Sequence, residues 1–154
     1  MVTVKFRTKP AGLSYSVDGN TYTTQQQFSW IAGSSHTIAT TTPQSGGPGT
    51  QFIWTKWSDN QPISHVVAPT SNRNFQATFK RQFFLTMNAG SGGAVQPASG
   101  WQDANQAVTI KAHANPGFHF VNWTGSGSGS YTGPNSPATI NMAAPITETG
   151  NFAP

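Results

Sequence analysis

The sequence predicts an all-β fold: two small antiparallel β units in tandem, Greek-key or sandwich-like. Three observations carry this. Short stretches alternate apolar and polar residues with period two, which puts each apolar set on one face of a strand. Clusters of Gly, Pro and Asn separate those stretches, and the chain holds 16 Gly and 11 Pro. Charged residues are only 8% of the 154, against about 25% in an ordinary globular domain, so the charged faces of long amphipathic helices are missing. Aromatic residues reach 12%, which is core-forming mass and the reverse of a disordered composition.

Taken in order, Val2, Val4 and Phe6 alternate with Thr3, Lys5 and Arg7 as a first strand. These residues do not form the apolar stretch of a signal peptide. Leu13, Tyr15 and Val17 alternate with Ser14 and Ser16. Asp18-Gly19-Asn20 then turns the chain toward Tyr22, because Asp-Gly tolerates the positive φ of a tight hairpin. Further strands are expected over 27–30, 36–40, 51–57, 75–79, 83–87, 108–112, 119–123, 139–142 and 146–152. A short helix near 104–107 is the one helical candidate. Breakers fall at 43–49, 90–93, 116–117 and 125–133.

An internal repeat sets the domain organisation. Phe52 and Trp57 are five positions apart, as are Phe118 and Trp123. Ile38 matches Ile110, and Phe79 matches Phe152. Two units follow, 1–80 and 82–154, with Lys80 and Arg81 between the last strand of one and the first of the next. Residue types shared by both halves are expected in the cores.

The motifs carry a resemblance. Gly117-Phe118-His-Phe-Val-Asn-Trp123-Thr-Gly125, followed by Ile146 to Phe152, resembles the divergent internalin B-type repeat, in which a Gly-aromatic strand ends near Gly-Trp-Ser/Thr-Gly and a terminal strand closes on Phe. Asn122 stands where that pattern usually has Gly. The first half, with Pro10-Ala-Gly12, Val17-Asp18-Gly19 and Gly33-Ser-Ser-His36, is similar to PEGA-type modules. Trp54-x-x-Trp57-Ser58-Asp59 resembles the internalin-type ending. The resemblance implies an accessory extracellular part of a secreted or surface bacterial protein, and no single ligand. The polar, uncharged, Thr- and Asn-rich composition points to the same compartment.

Chemistry is scarce. Four carboxylates (Asp18, Asp59, Asp103, Glu148) and no cysteine leave little for acid/base, thiolate or metal work. His36, His65, His113 and His119 lack metal-ligand spacing. Asp18 with Asn20, and Asp59 with Asn60, read as turn caps or as calcium-binding oxygens. No spacing of Ser, His and Asp singles out a catalytic triad. Gly125-Ser-Gly-Ser-Gly129 has no following helix and no lysine, so it is neither a nucleophile elbow nor a phosphate cradle. One covalent idea is a Lys–Asn amide, from Lys5 or Lys111, beside Glu148. The net charge is +4, but the longest basic run is Lys80-Arg81, too sparse for nucleic acid. No run of about 18 apolar residues exists to insert in a membrane. The chain is therefore expected to be no enzyme and to need no metal or cofactor.

Aromatic residues without an identical repeat partner are the candidate site: Trp54 (which faces Phe120 in the repeat), Trp30, Trp101, Tyr22 and Tyr131. Flat rings stack on the apolar faces of sugars, and neighbouring Asn, Gln and Ser bond hydroxyls. Trp54 and Trp57 are three apart, so a regular strand turns Trp54 outward where Trp57 is core. The leading expectation is a carbohydrate-binding module for a neutral polysaccharide. The alternative is a stalk or adhesion repeat making contacts with a protein partner at the cell surface.

Overall fold

The alternating stretch Val2–Lys9 forms β1, with Val2, Val4, Phe6 and Thr8 buried and Lys5, Arg7 and Lys9 exposed. The computed structural model describes all residues, Met1–Pro154, and contains strands and turns but no helix. The chain divides into two units: Met1–Ser45 with Phe52–Lys80, and Gly46–Gln51 with Arg81–Pro154.

In the first unit β1 is followed by β2 (Tyr15–Val17), β3 (Asn20–Tyr22), β4 (Gln26–Trp30), β5 (His36–Thr40), β6 (Gln44–Ser45), β7 (Thr50–Trp57, of which Thr50 and Gln51 belong to the second unit) and β8 (Ser64–Val67). The unit closes on β9 (Arg73–Ala89), whose residues from Arg81 onward belong to the second unit. β1 pairs antiparallel with β4 and parallel with β9, Phe6 lying opposite Phe75. β7 also pairs with β9. A second sheet has the order β3-β2-β5-β8, all antiparallel. Asp18 and Gly19 make the two-residue β2–β3 turn, with φ of 51° and 81°. Positive φ at both central positions is the twist-matched hairpin turn that Asp-Gly favours. Val4, Phe6, Phe75 and Trp57 from one sheet meet Tyr15, Val17 and Ile38 from the other in one core. Burial pushes the Tyr15 phenol up to about 12, with Tyr22 adding to the shift. The hydroxyl donates to the Thr24 carbonyl at 2.7 Å.

The second unit continues with β10 (Gly93–Gln96), β11 (Gly100–Asp103), β12 (Ala107–Ala114), β13 (His119–Ser126), β14 (Ala138–Asn141) and β15 (Ile146–Ala153). Its residues of β9 pair antiparallel with β11 and parallel with β15. β13 pairs antiparallel with β15, and β10-β12-β14 form the second sheet. Leu85, Ile110, Trp123, Ile140, Met142 and Ile146 make its core.

The two units share one connectivity. In each, the first strand lies parallel to the last, and a second, smaller sheet accompanies them: the four strands β3-β2-β5-β8 in one, the three strands β10-β12-β14 in the other. The duplication read from Trp57 and Trp123 is thus a duplication of topology. Both indoles are fully buried, as are Ile38 and Ile110.

Four details differ from the sequence reading. Each unit is mixed, because its first and last strands pair parallel. Such a pairing joins segments distant in sequence and leaves no local signal. Lys80 and Arg81 are no gap but lie inside β9, since no Gly or Pro interrupts residues 73–89. In place of the helix expected near 104–107, residues 104–106 turn the chain into β12, with Asn105 at φ 63°. Phe118, expected in the core beside Phe52, precedes β13 and is 39% exposed.

Candidate functional site

The five candidate rings do not form one exposed row. Trp30 ends β4 opposite Val2, where the inward face of the sheet takes it to 8% exposure. Its ring lies flat on His36, centroids 3.6 Å apart, and tilts against Phe6 at 5.8 Å. Tyr22 is half-buried between Tyr15 and Phe28. Trp54 is half-buried and packs on the same core as Trp57, so the expectation that it turns outward is corrected. Its indole N–H is buried without a partner. Phe120, the residue matching Trp54 in the second unit, packs on its own core in the same way. Tyr131 is half-buried, and its hydroxyl accepts from the Asn135 N–H at 3.1 Å. Trp101 alone stays open, at 40% exposure on β11. It meets Phe84 edge to face, centroids 5.2 Å apart.

The structure assembles a polar row that sequence spacing did not single out. The His36 Nδ1–H donates to Asp18 Oδ2 at 2.7 Å, and Nε2 lies 2.9 Å from the Ser34 hydroxyl. Asp18 Oδ1 also accepts from the Thr37 N–H. The order Asp–His–Ser is that of a hydrolytic triad. Here, however, the Ser34 hydroxyl donates to the Ile31 carbonyl at 2.7 Å, the shorter of its two contacts. A hydroxyl has one hydrogen to give. The row therefore works as a brace holding the Asp18-Gly19 turn to β5. The hydrogen bond from His36 holds the Asp18 carboxyl below its ordinary range.

A second brace stands across the same unit. His65 faces the Asp59 carboxylate through Nε2 at 2.7 Å and the Pro62 carbonyl through Nδ1 at 2.6 Å. Asp18 and Asp59 thus serve as turn braces. No group of three or more His, Asp or Glu side chains comes together.

In the second unit Glu148 is sealed on β15. Oε2 accepts from the Tyr131 N–H at 2.7 Å, while Oε1 has no partner. Burial raises its pKa, and the Tyr131 hydrogen bond only partly offsets this. Lys5 and Lys111 are both exposed, so neither meets this carboxyl and the amide cross-link is corrected. No helix is long and apolar enough to cross a membrane.

Neither a curated protein nor a solved structure matches the chain. One family model does, over the part that carried the Gly-aromatic and Trp123-Thr-Gly motif. That family is typically found in extracellular or surface proteins of bacteria. Residues 83–154, nearly all of the second unit, match the divergent InlB B-repeat domain.

Proposed function

We propose that the chain is a non-catalytic structural repeat of a bacterial surface protein, serving as a stalk or adhesion module that contacts a protein partner. The observation carrying this is the fate of the rings. Trp30 and Trp57 are buried, and Trp54, Tyr22 and Tyr131 are packed to half-burial, so aromatic mass is spent on holding two thin cores. The shared connectivity supports it too, since a PEGA-like first half and an internalin-type second half are then two copies of one spacer. The Ser34 hydroxyl committed to Ile31 supports the absence of hydrolysis. No retardation of the folded protein by cellulose, xyloglucan, xylan, mannan or chitin in affinity electrophoresis is the expected result. Hydrolysis of a chromogenic ester that disappears in Ser34→Ala would overturn the non-catalytic reading.

The neutral-polysaccharide reading keeps one specific observation, the open indole of Trp101 over Phe84. Its test is Trp101→Ala: retardation by a neutral glycan that this variant loses, at unchanged melting temperature, would replace the spacer reading with a single-ring sugar site.

A further inference from the structure

We propose that the outer face of β1 in the first unit binds an acidic polysaccharide, one carrying carboxylate or sulfate groups along an extended chain. The net charge is unequally shared. The first unit holds Lys5, Arg7, Lys9, Lys56, Arg73 and Lys80 against Asp18 and Asp59, and the second holds Arg81 and Lys111 against Asp103 and Glu148. The whole net charge of +4 therefore sits on the first unit. Both carboxylates of that unit are bound to histidines. Lys5, Arg7 and Lys9 have no carboxylate partner and form a row on one strand face, about 13 Å from first to last.

Neutral hydrogen-bonding side chains flank that row. Lys5 is opposite Gln27 on β4 and Asn74 on β9, Arg7 is opposite Gln76, and Lys9 is opposite Thr78. Opposite residues in register share a face. Two hollows run along it. One, of about 720 Å³, is lined by Arg7, Lys9, Thr23, Thr24, Gln25 and Gln76. The other, of about 220 Å³, is lined by Lys5, Arg7, Gln25 and Asn74. They share Arg7 and Gln25, so Arg7 borders both. Spaced cations read the acid groups, and amides and hydroxyls read sugar hydroxyls in between.

The same face disfavours other polyanions. Phe6 and Phe75 lie beneath it, fully buried, so no ring is open for bases to stack on. Its exposed side chains are polar, which leaves a bilayer nothing to insert.

Affinity electrophoresis of the whole chain through polygalacturonate, and separately dextran sulfate, tests this. Both should retard it, less so as salt rises, and their relative strength identifies the acid group read. Neutral dextran should not. Arg7→Gln with Lys9→Gln should weaken binding about tenfold or more, the scale of losing charge-assisted hydrogen bonds. The charge-matched pair Arg81→Gln with Lys111→Gln, both in the second unit, should change it less than about twofold. Lys5→Gln alone, a milder change in the same row, should weaken it in the same direction. No retardation by either polyanion, equal loss in the charge-matched pair, or full affinity in Lys5→Gln overturns the proposal. So does tighter binding to poly(dT) or to phosphatidylserine vesicles. Failure here leaves the spacer reading standing, because that reading assigns no ligand to β1.

Discussion

Trp30 lies flat on His36, ring planes 8° from parallel and centroids 3.6 Å apart. The imidazole is thus packed on one face by the indole and gripped at its edges by Asp18 and Ser34. A ring offered to sugar is instead the lid of a polar brace. Removing either partner exposes the other.

The brace gives a pH signature. Asp18 is held below its ordinary value of 3.8 by His36. A lowered carboxyl stabilises the fold fully above that value and loses this as pH falls through the folded one. Asp18→Asn should melt earlier than the wild type at pH 6. The gap between them should narrow below about pH 3.8. A gap that widens in acid contradicts the brace.

The duplicated tryptophans should behave differently under the same change. Trp57→Ala and Trp123→Ala should each cost about 3–5 kcal/mol, since both indoles are fully buried. Phe separates them. Trp57 Nε1–H donates to the Ile63 carbonyl at 2.9 Å, whereas the Trp123 N–H has no partner. Trp57→Phe should therefore cost about 1 kcal/mol more than Trp123→Phe in urea unfolding.

Glu148 should act as a penalty at neutral pH. Its pKa is raised by burial, so its protonated form suits the fold, and stability is lost as pH rises through the folded value. Glu148→Gln keeps an oxygen for the Tyr131 N–H and carries no charge. The variant should melt higher than the wild type at pH 7 and equal to it near pH 3. A lower melting point at pH 7 would show that the carboxylate has a hidden cation.

Gly129 is a steric requirement of the 125–133 loop. Its φ is +90°, and a Cβ there would collide with the Asn141 carbonyl. Gly129→Ala should destabilise the chain by about 2 kcal/mol or more. Gly100→Ala, where an added Cβ meets nothing within 4 Å, should change stability by less than about 0.5 kcal/mol.

Much of this fold was legible. Alternation located β1, β5 and β15, and Asp18-Gly19 located the first hairpin. The repeat placed Trp57 and Trp123 inside. The short strands β8, β10 and β11 escaped because four residues with Gly, Ser or Gln among them carry no period. Burial of Trp30 escaped because alternation assigns a face without saying which face a second sheet will cover. Ser34, His36 and Asp18 met unannounced, for Asp18 arrives from a hairpin that only the β2–β5 register brings close. The cationic row was visible as the alternation Lys5, Arg7, Lys9, but its neutral flanks come from β4 and β9.

Parallel pairing of first and last strands has a mechanical consequence. Within a unit, the chain enters at one end of the pair and leaves at the other. Tension on the two ends then slides the strands along each other. In the first unit this loads every rung from Val4–Arg73 to Lys9–Thr78 together, and in the second those from Leu85–Ile146 to Ala89–Gly150. Rungs strained all at once yield at higher force than rungs peeled singly, so each unit is built to stay folded while being pulled.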